Sequence, residues 1–320
     1  MSGPCIGALG ELLVEFVCTE TDGRNLRAAP YVGPFPSGAP GIFIDQAARI
    51  AAGVGGRAVF AGAVGDDAFG TVVLNRLMAD GVDPALIRVV KGVPTGSAFV
   101  SYNTDGSRDF VFNIAHSAAS HLPDADTIIA GFLAAGAGVI HISGSMLGDA
   151  SMRAKAVQVC DALRNTGVAV SIDPNIRPEL MTDAGYLASL RHLMTMATYV
   201  LPSDADADLL FPGEGFDTFA PRLLAAGAQA VVLKRGEYGC IAREAGGTVN
   251  LPAHPVTVVD PTGAGDCFCA TFVTLKAAGY TLDKALARAN AAGALAVGQL
   301  GPMEGNAPLD RIEALLGHRP

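Results

Sequence analysis

The chain has 320 residues, half of them hydrophobic and 17% charged, with a net charge of −9. That is enough apolar material for a large core and excludes a disordered chain, while an acidic balance without any Lys/Arg cluster excludes a nucleic-acid binder. Small molecules are the expected partners. No apolar stretch reaches the roughly 18 residues of a membrane span, and residues 1–5 lack the basic-then-apolar pattern of a leader peptide. The six cysteines are sparse, and Cys267 and Cys269 are spaced C-x-C, neither a redox nor a zinc pattern. Buried thiols and a cytoplasmic location are expected. None of the six histidines has metal-ligand spacing.

In chain order, residues 5–17 read as a strand region rich in Ile, Leu, Val and Phe. Helical spacing covers 40–52 and stops at Gly53; a short apolar run at 57–64 predicts a strand, and 68–80 predicts a helix ending at Gly81. The alternation continues with a strand at 139–143, a helix at 151–165, a strand at 168–172, a helix at 184–197 and a strand at 199–201. A helix at 216–226 and a strand at 230–234 follow, and helices at 263–278, 282–298 and 309–316 complete the chain. Strand alternating with helix predicts an α/β fold with a central, mostly parallel sheet flanked by helices. One region breaks the rhythm. The β-rich runs 97–102 and 108–114 are joined by residues 103–107, in which Asp105-Gly106 is turn chemistry. This predicts a β-hairpin standing apart from the parallel sheet, at an edge or as a small lid. No internal repeat, linker or low-complexity segment divides the chain, so residues 1–320 are read as one domain.

The strongest chemical signal is Val258-Val259-Asp260-Pro261-Thr262-Gly263-Ala264-Gly265-Asp266, followed at once by helix-forming sequence. Glycines let backbone N–H groups converge, and a helix N-terminus adds about half a positive charge. Together they make an anion pocket suited to a phosphate in flight. Asp266 at the helix start is placed to accept a proton from an attacking hydroxyl; its bland alternative is a helix cap. Arg177, rigidly presented between Ile176 and Pro178, can grip a carboxylate bidentately or brace its loop. Glu15 can accept hydrogen bonds from the hydroxyls of a bound ligand or end a strand at the surface. Tyr102, Arg108, Phe110 and Phe112 lie on the hairpin, to touch a substrate or to pack between subunits, and alternation alone does not say which face does which.

Residues 260–266 resemble the C-terminal signature of the PfkB carbohydrate kinase family, with its ribokinase-like fold. Ser37-Gly38-Ala39-Pro40 and Gly62-Ala63-Val64-Gly65-Asp66-Asp67-Ala68-Phe69-Gly70 resemble the family's N-terminal signature. Gly10-Glu11-Leu12-Leu13-Val14-Glu15 resembles the first strand of keto-sugar kinases, and Asp173-Pro174-Asn175-Ile176-Arg177-Pro178 the fructokinase and 2-keto-3-deoxygluconate kinase branch. The resemblance implies a β lid, from about 12–36 and 92–115, over a sugar held by Glu15, Gly38, Tyr102, Arg108 and Arg177. It implies ATP and Mg²⁺, Asp266 as base, and Gly263, Ala264 and Gly265 as the anion hole. Lys234, Gly236 and Gly239 would border the nucleotide, with Asn290 near the adenine. Asp260 and Thr262 match a monovalent-cation (K⁺) position, and an exposed lid would suit a homodimer.

Two positions depart from the family pattern. Ile42 stands where a sugar-facing amide is usual, and Ser203-Asp204-Ala205-Asp206 replaces the usual Asn-x-x-Glu, leaving Asp206 as the Mg²⁺-linked carboxylate. The implied reaction is phosphorylation of a hydroxyl of a keto sugar or keto sugar acid of the 2-keto-3-deoxygluconate, fructose or tagatose type. Ribokinase- or nucleoside-kinase-type activity, or a silent sugar sensor on the same fold, are the alternatives.

Overall fold

In the computed structural model, residues 3–317 apart from 106 and 182 are described. Thirteen strands form two sheets among these residues. The strands are β1 (Cys5–Leu9), β2 (Leu13–Cys18), β3 (Tyr31–Ser37), β4 (Arg57–Gly65), β5 (Val82–Val90), β6 (Gly96–Tyr102) and β7 (Arg108–Asn113). They continue as β8 (Val139–Ser143), β9 (Ala169–Asp173), β10 (Tyr199–Val200), β11 (Ala230–Lys234), β12 (Cys240–Glu244) and β13 (Gly247–Leu251). The helices are α1 (Ala39–Gly53), α2 (Ala68–Ala79), α3 (Ala125–Ala134), α4 (Ala150–Arg164), α5 (Ala184–Met196), α6 (Asp204–Leu210), α7 (Phe216–Ala225), α8 (Ala264–Ala277), α9 (Leu282–Ala296) and α10 (Leu309–Gly317).

The large sheet has nine strands in the order β13-β12-β11-β10-β9-β8-β1-β4-β5. From β11 to β5 every neighbouring pair is parallel, and β12 and β13 add an antiparallel hairpin at one edge. A parallel sheet is covered on both faces, so its strands read as continuous apolar runs, as in Ala230-Val231-Val232-Leu233. Successive residues still point oppositely. Val232 joins a core with Phe43 of α1 and Phe272 of α8, while Val231 joins the opposite core with Phe132 of α3 and Tyr186 of α5. No described helix is long and apolar enough to cross a membrane.

The second sheet has the order β3-β2-β6-β7. The expected single strand at 5–17 is two strands in two different sheets. Gly10 separates them at φ 146°, where a Cβ would come within 2.5 Å of Pro40, so the chain turns out of the large sheet there. The expected hairpin is β6–β7, in register from Ser97 opposite Asn113 to Tyr102 opposite Arg108; Gly106 of its predicted turn, like Met1 and Ser2, lies outside the described residues. β6 also pairs in parallel with β2, from Leu13 opposite Gly96 to Val17 opposite Val100. The helix expected from 263 begins one residue later, because Gly263 adopts the left-handed cap conformation.

Candidate active site

The loop entering α8 is held from both sides. Asp260, fully buried, accepts the Thr262 N–H at 2.8 Å and the Gly301 N–H at 2.9 Å. Gly263 then takes φ 80°, and a Cβ there would lie 2.3 Å from the Pro302 carbonyl oxygen, so backbone approach as well as φ demands glycine. The first turn of α8 follows, with its unsatisfied N–H groups and dipole facing outward. Gly265 opens on this space. A Cβ built on it would meet, among the described atoms within 4 Å, the Lys234 Nζ at 3.6 Å.

Asp266 lies in the first turn of α8 and is buried. Its Oδ1 accepts a hydrogen bond from Asn175 Nδ2 at 3.2 Å. Burial and then the neighbouring Asp173 carboxylate push its pKa up to about 7, against the opposing pull of Lys234 and Arg177. Asn175 belongs to the loop after β9. Its backbone sits at φ 36°, a conformation asparagine tolerates, and its N–H donates to Asp173 Oδ1 at 3.2 Å. Asp173 forms a buried ion pair with Lys234 at the end of β11, and the Cys269 thiol of α8 donates to the same Asp173 oxygen at 3.3 Å. Asp266, Asn175, Asp173 and Lys234 thus form one contiguous array at the C-terminal ends of parallel strands, where α/β sheets bind ligands.

Beside this array are two buried glutamates. Glu11 Oε1 accepts the Ser145 hydroxyl at 2.6 Å, and Glu15 Oε2 accepts the Ser37 hydroxyl at 3.1 Å. Oε2 of Glu11 and Oε1 of Glu15 are buried without a partner among the described residues. Burial is the main cause that pushes both carboxyls up to about 7; Asp260 adds to it for Glu15, and Arg177 opposes it at both. Arg177 makes no ion pair among the described residues, and its charge acts on Glu11, Glu15 and Asp266 together. Arg108 lies over the Phe110 ring at 5.6 Å and donates to Thr262 Oγ1 at 3.4 Å. The Tyr102 hydroxyl bonds to the Asp260 carboxylate and lies 3.0 Å from Thr262 Oγ1. The Tyr102 and Arg108 face of the second sheet therefore closes on the α8 turn. Gly38, at φ 103°, would bring a Cβ within 2.5 Å of the Glu11 carbonyl oxygen; it fixes the approach of α1 to Glu11.

The remaining predicted residues are placed less directly. Asp206 makes a capping box with Ser203 at the start of α6 and accepts the Ile176 N–H at 2.8 Å. Both its oxygens are therefore engaged, and it braces the loop that carries Asn175 and Arg177 rather than presenting free metal donors. The Asp260 and Thr262 side chains are likewise taken up by Gly301, Tyr102 and Arg108. Asn290 donates to the Pro252 carbonyl at 2.8 Å, bracing the loop after β13. Gly239, at φ 84°, lets β12 pass close to Leu251, where a Cβ would be 2.1 Å from its carbonyl oxygen, whereas Gly236 borders open space. Ile42 is packed in the core, its Cγ2 3.2 Å from the Cβ position of Gly263.

Sequence reasoning singled out Arg177 in the 173–178 motif and passed over Asp173 and Asn175. The available signal was an Asp-x-Asn at a strand end, the pattern of an Asx turn that tolerates positive φ. It also passed over Glu11, one residue after a glycine at a strand break. Ser145 carried no signal, since its partner lies 134 residues away.

The model of the pfkB family carbohydrate kinases matches residues 47–308. A 2-dehydro-3-deoxygluconokinase of Bacillus subtilis is 30% identical over 311 residues, covering 96% of this chain and 94% of that protein. Fructokinase-2 of Solanum habrochaites is 31% identical over 277 residues, covering 85% and 82%. Among solved structures, a candidate ribokinase II of E. coli, determined with ATP and Mg²⁺, matches with a TM-score of 0.90 at 35% identity, covering 100% of both chains. A family match over most of the chain, which takes in the glycine turn and the buried aspartate described above, makes this chain a member of the pfkB carbohydrate kinase family and a sugar kinase.

Proposed function

We propose that this kinase transfers the γ-phosphoryl group of ATP to a hydroxyl of a keto sugar or keto sugar acid, with Asp266 as general base. The observation that carries the reading is a buried carboxylate in the first turn of a helix whose N–H groups open beside it. Asp266 takes the proton of the attacking hydroxyl, and its raised pKa suits it to do so near neutral pH. The N–H groups of Gly263, Ala264 and Gly265 receive the charge that develops on the transferring group. Glu15 and Arg177 hold sugar oxygens, Tyr102 and Arg108 bring the second sheet down over them, and Gly38 shapes that wall. Lys234, Gly236 and Gly239 border the nucleotide on the β11–β12 side, and Asn290 supports that border through Pro252. Glycine at 265, where any side chain would enter the anion space, fits a phosphate there. ATP supplies the phosphoryl group when bound, and Mg²⁺, which commonly keeps several waters and binds through phosphates, offsets its charge. With both Asp206 oxygens engaged, its link to that ion would run through water.

The named relatives support a ketose or a 2-keto sugar acid as acceptor. Mass detection of sugar phosphates over keto sugars, aldoses, sugar acids, ribose and nucleosides tests this. Phosphorylation of a ketose or keto acid is the expected result. Turnover of ribose or nucleosides alone would replace the acceptor class.

A further inference from the structure

Among the described residues, Lys234 is the cation that lies within 4 Å of the position a side chain on Gly265 would take. Its Nζ is paired with Asp173 and donates to Cys269 Sγ at 3.3 Å. An ammonium has three N–H groups, so one remains uncommitted among the described residues. The Lys234 side chain is 12% exposed, whereas that of Asp173 is 2% exposed, so the ammonium is the open end of the pair. The position 3.6 Å away, where a side chain on Gly265 would begin, is empty because residue 265 is glycine.

The surrounding charge makes that position consequential. Asp173 and Asp266 face the same space, with Glu11 close enough to raise the pKa of Asp266. Left alone, these carboxylates would repel a phosphoryl group. Backbone N–H groups bring only partial charges, whereas phosphoryl transfer spreads negative charge over equatorial oxygens that a full cation stabilises.

We propose that Lys234 is a catalytic residue whose ammonium, anchored by Asp173, contacts the transferring phosphoryl group at the Gly263–Asp266 turn. The proposal rests on the kinase reading above and narrows the role of Lys234 from bordering the nucleotide to touching the group that moves. In the step, the bond from the sugar oxygen to phosphorus forms as the bond from phosphorus to the leaving oxygen of ADP breaks. The hydroxyl proton passes to Asp266. Lys234 keeps its three protons and its charge, and Asp173 is a positioning residue.

Lys234→Met alone strands a buried carboxylate and risks misfolding. The test therefore uses Lys234→Met paired with Asp173→Asn, which removes both charges together. Two readouts are taken: kcat at saturating substrates, and calorimetric affinity for ADP with Mg²⁺, with and without aluminium fluoride, a mimic of the phosphoryl group in flight. The wild type should bind more tightly when fluoride is added. The double variant should unfold cooperatively, keep its ADP affinity, lose that tightening, and fall in kcat by about 10²–10³-fold, the usual effect of removing one transition-state donor. Retained tightening with kcat near wild type would make Lys234 a structural counter-ion and overturn the proposal. So would an equal loss of affinity for ADP with and without fluoride, which would put Lys234 on the phosphates that stay behind. If no sugar is phosphorylated, the kinase reading fails on its own, and the fluoride comparison still decides the contact.

Discussion

A base that takes a proton from a sugar hydroxyl works best with a pKa near the working pH, and burial brings the Asp266 carboxyl to about 7. Below that value Asp266 is protonated and cannot act, so kcat/KM should fall about tenfold per pH unit on the acid side and level off above neutrality. A profile flat down to pH 5 would remove Asp266 from this role. The glycines of the turn make separable predictions. Gly263→Ala forces a left-handed φ and a clash with the Pro302 carbonyl, so it should cost at least about 1–3 kcal/mol in urea unfolding. A Cβ at 265 meets no backbone beyond its own helix turn, so Gly265→Val should fold with a near-normal melting temperature yet lose most of kcat by filling the anion space. A Gly265→Val enzyme with normal kcat would show that no phosphate enters there.

At the scale of elements, Tyr102 and Arg108 of the second sheet bond to Asp260 and Thr262 of the turn before α8. We propose that it acts as a lid that closes over the sugar and excludes water. Hydrogen exchange in β6 and β7 should slow when an accepted sugar binds and should not respond to a rejected one. Identical exchange in both cases would make the sheet a fixed wall. The periodic elements were legible from the chain: the strand at 230–234 matches its predicted bounds, and the helices at 40–52 and 184–197 match within a residue at each end. Other elements were not. β5 carries Asp83, Pro84 and Arg88 on an edge strand half open to water, so its apolar signal is weak. β12 and β13 are short and partly exposed, and β3 contains two prolines that hide a strand edge. The split of 5–17 depended on Gly10 meeting Pro40, a contact across the fold that no local pattern encodes.

For the whole molecule, the proposed site draws on the ends of several strands and on the second sheet. The turn at 260–266 was legible in the chain, because its shape lies in its own backbone and glycines. The roles of Asp173 and Glu11 were hidden, because each depends on partners from other elements. Among the described residues the buried glutamates leave two oxygens without a partner, suited to sugar hydroxyls, while Arg177 can take a carboxylate in a bidentate grip. If the acceptor is a sugar acid, Arg177→Ala should raise its KM about 10- to 100-fold, since hydrogen bonds to charged groups contribute about 1.5–3 kcal/mol. A neutral ketose should lose much less. Equal losses for fructose, tagatose and 2-keto-3-deoxygluconate would make Arg177 a brace of its loop.

The central claim is phosphoryl transfer to a sugar with Asp266 as base, and the most direct test is sugar-dependent ADP release by the wild type and by Asp266→Asn. The wild type should release ADP in step with sugar phosphate. Asp266→Asn should fold, bind ATP as tightly, and turn over about 10²–10⁴-fold more slowly, as expected when a positioned acid–base group is lost. Near-normal ADP release by Asp266→Asn, or no transfer by the wild type to any sugar, would contradict the account.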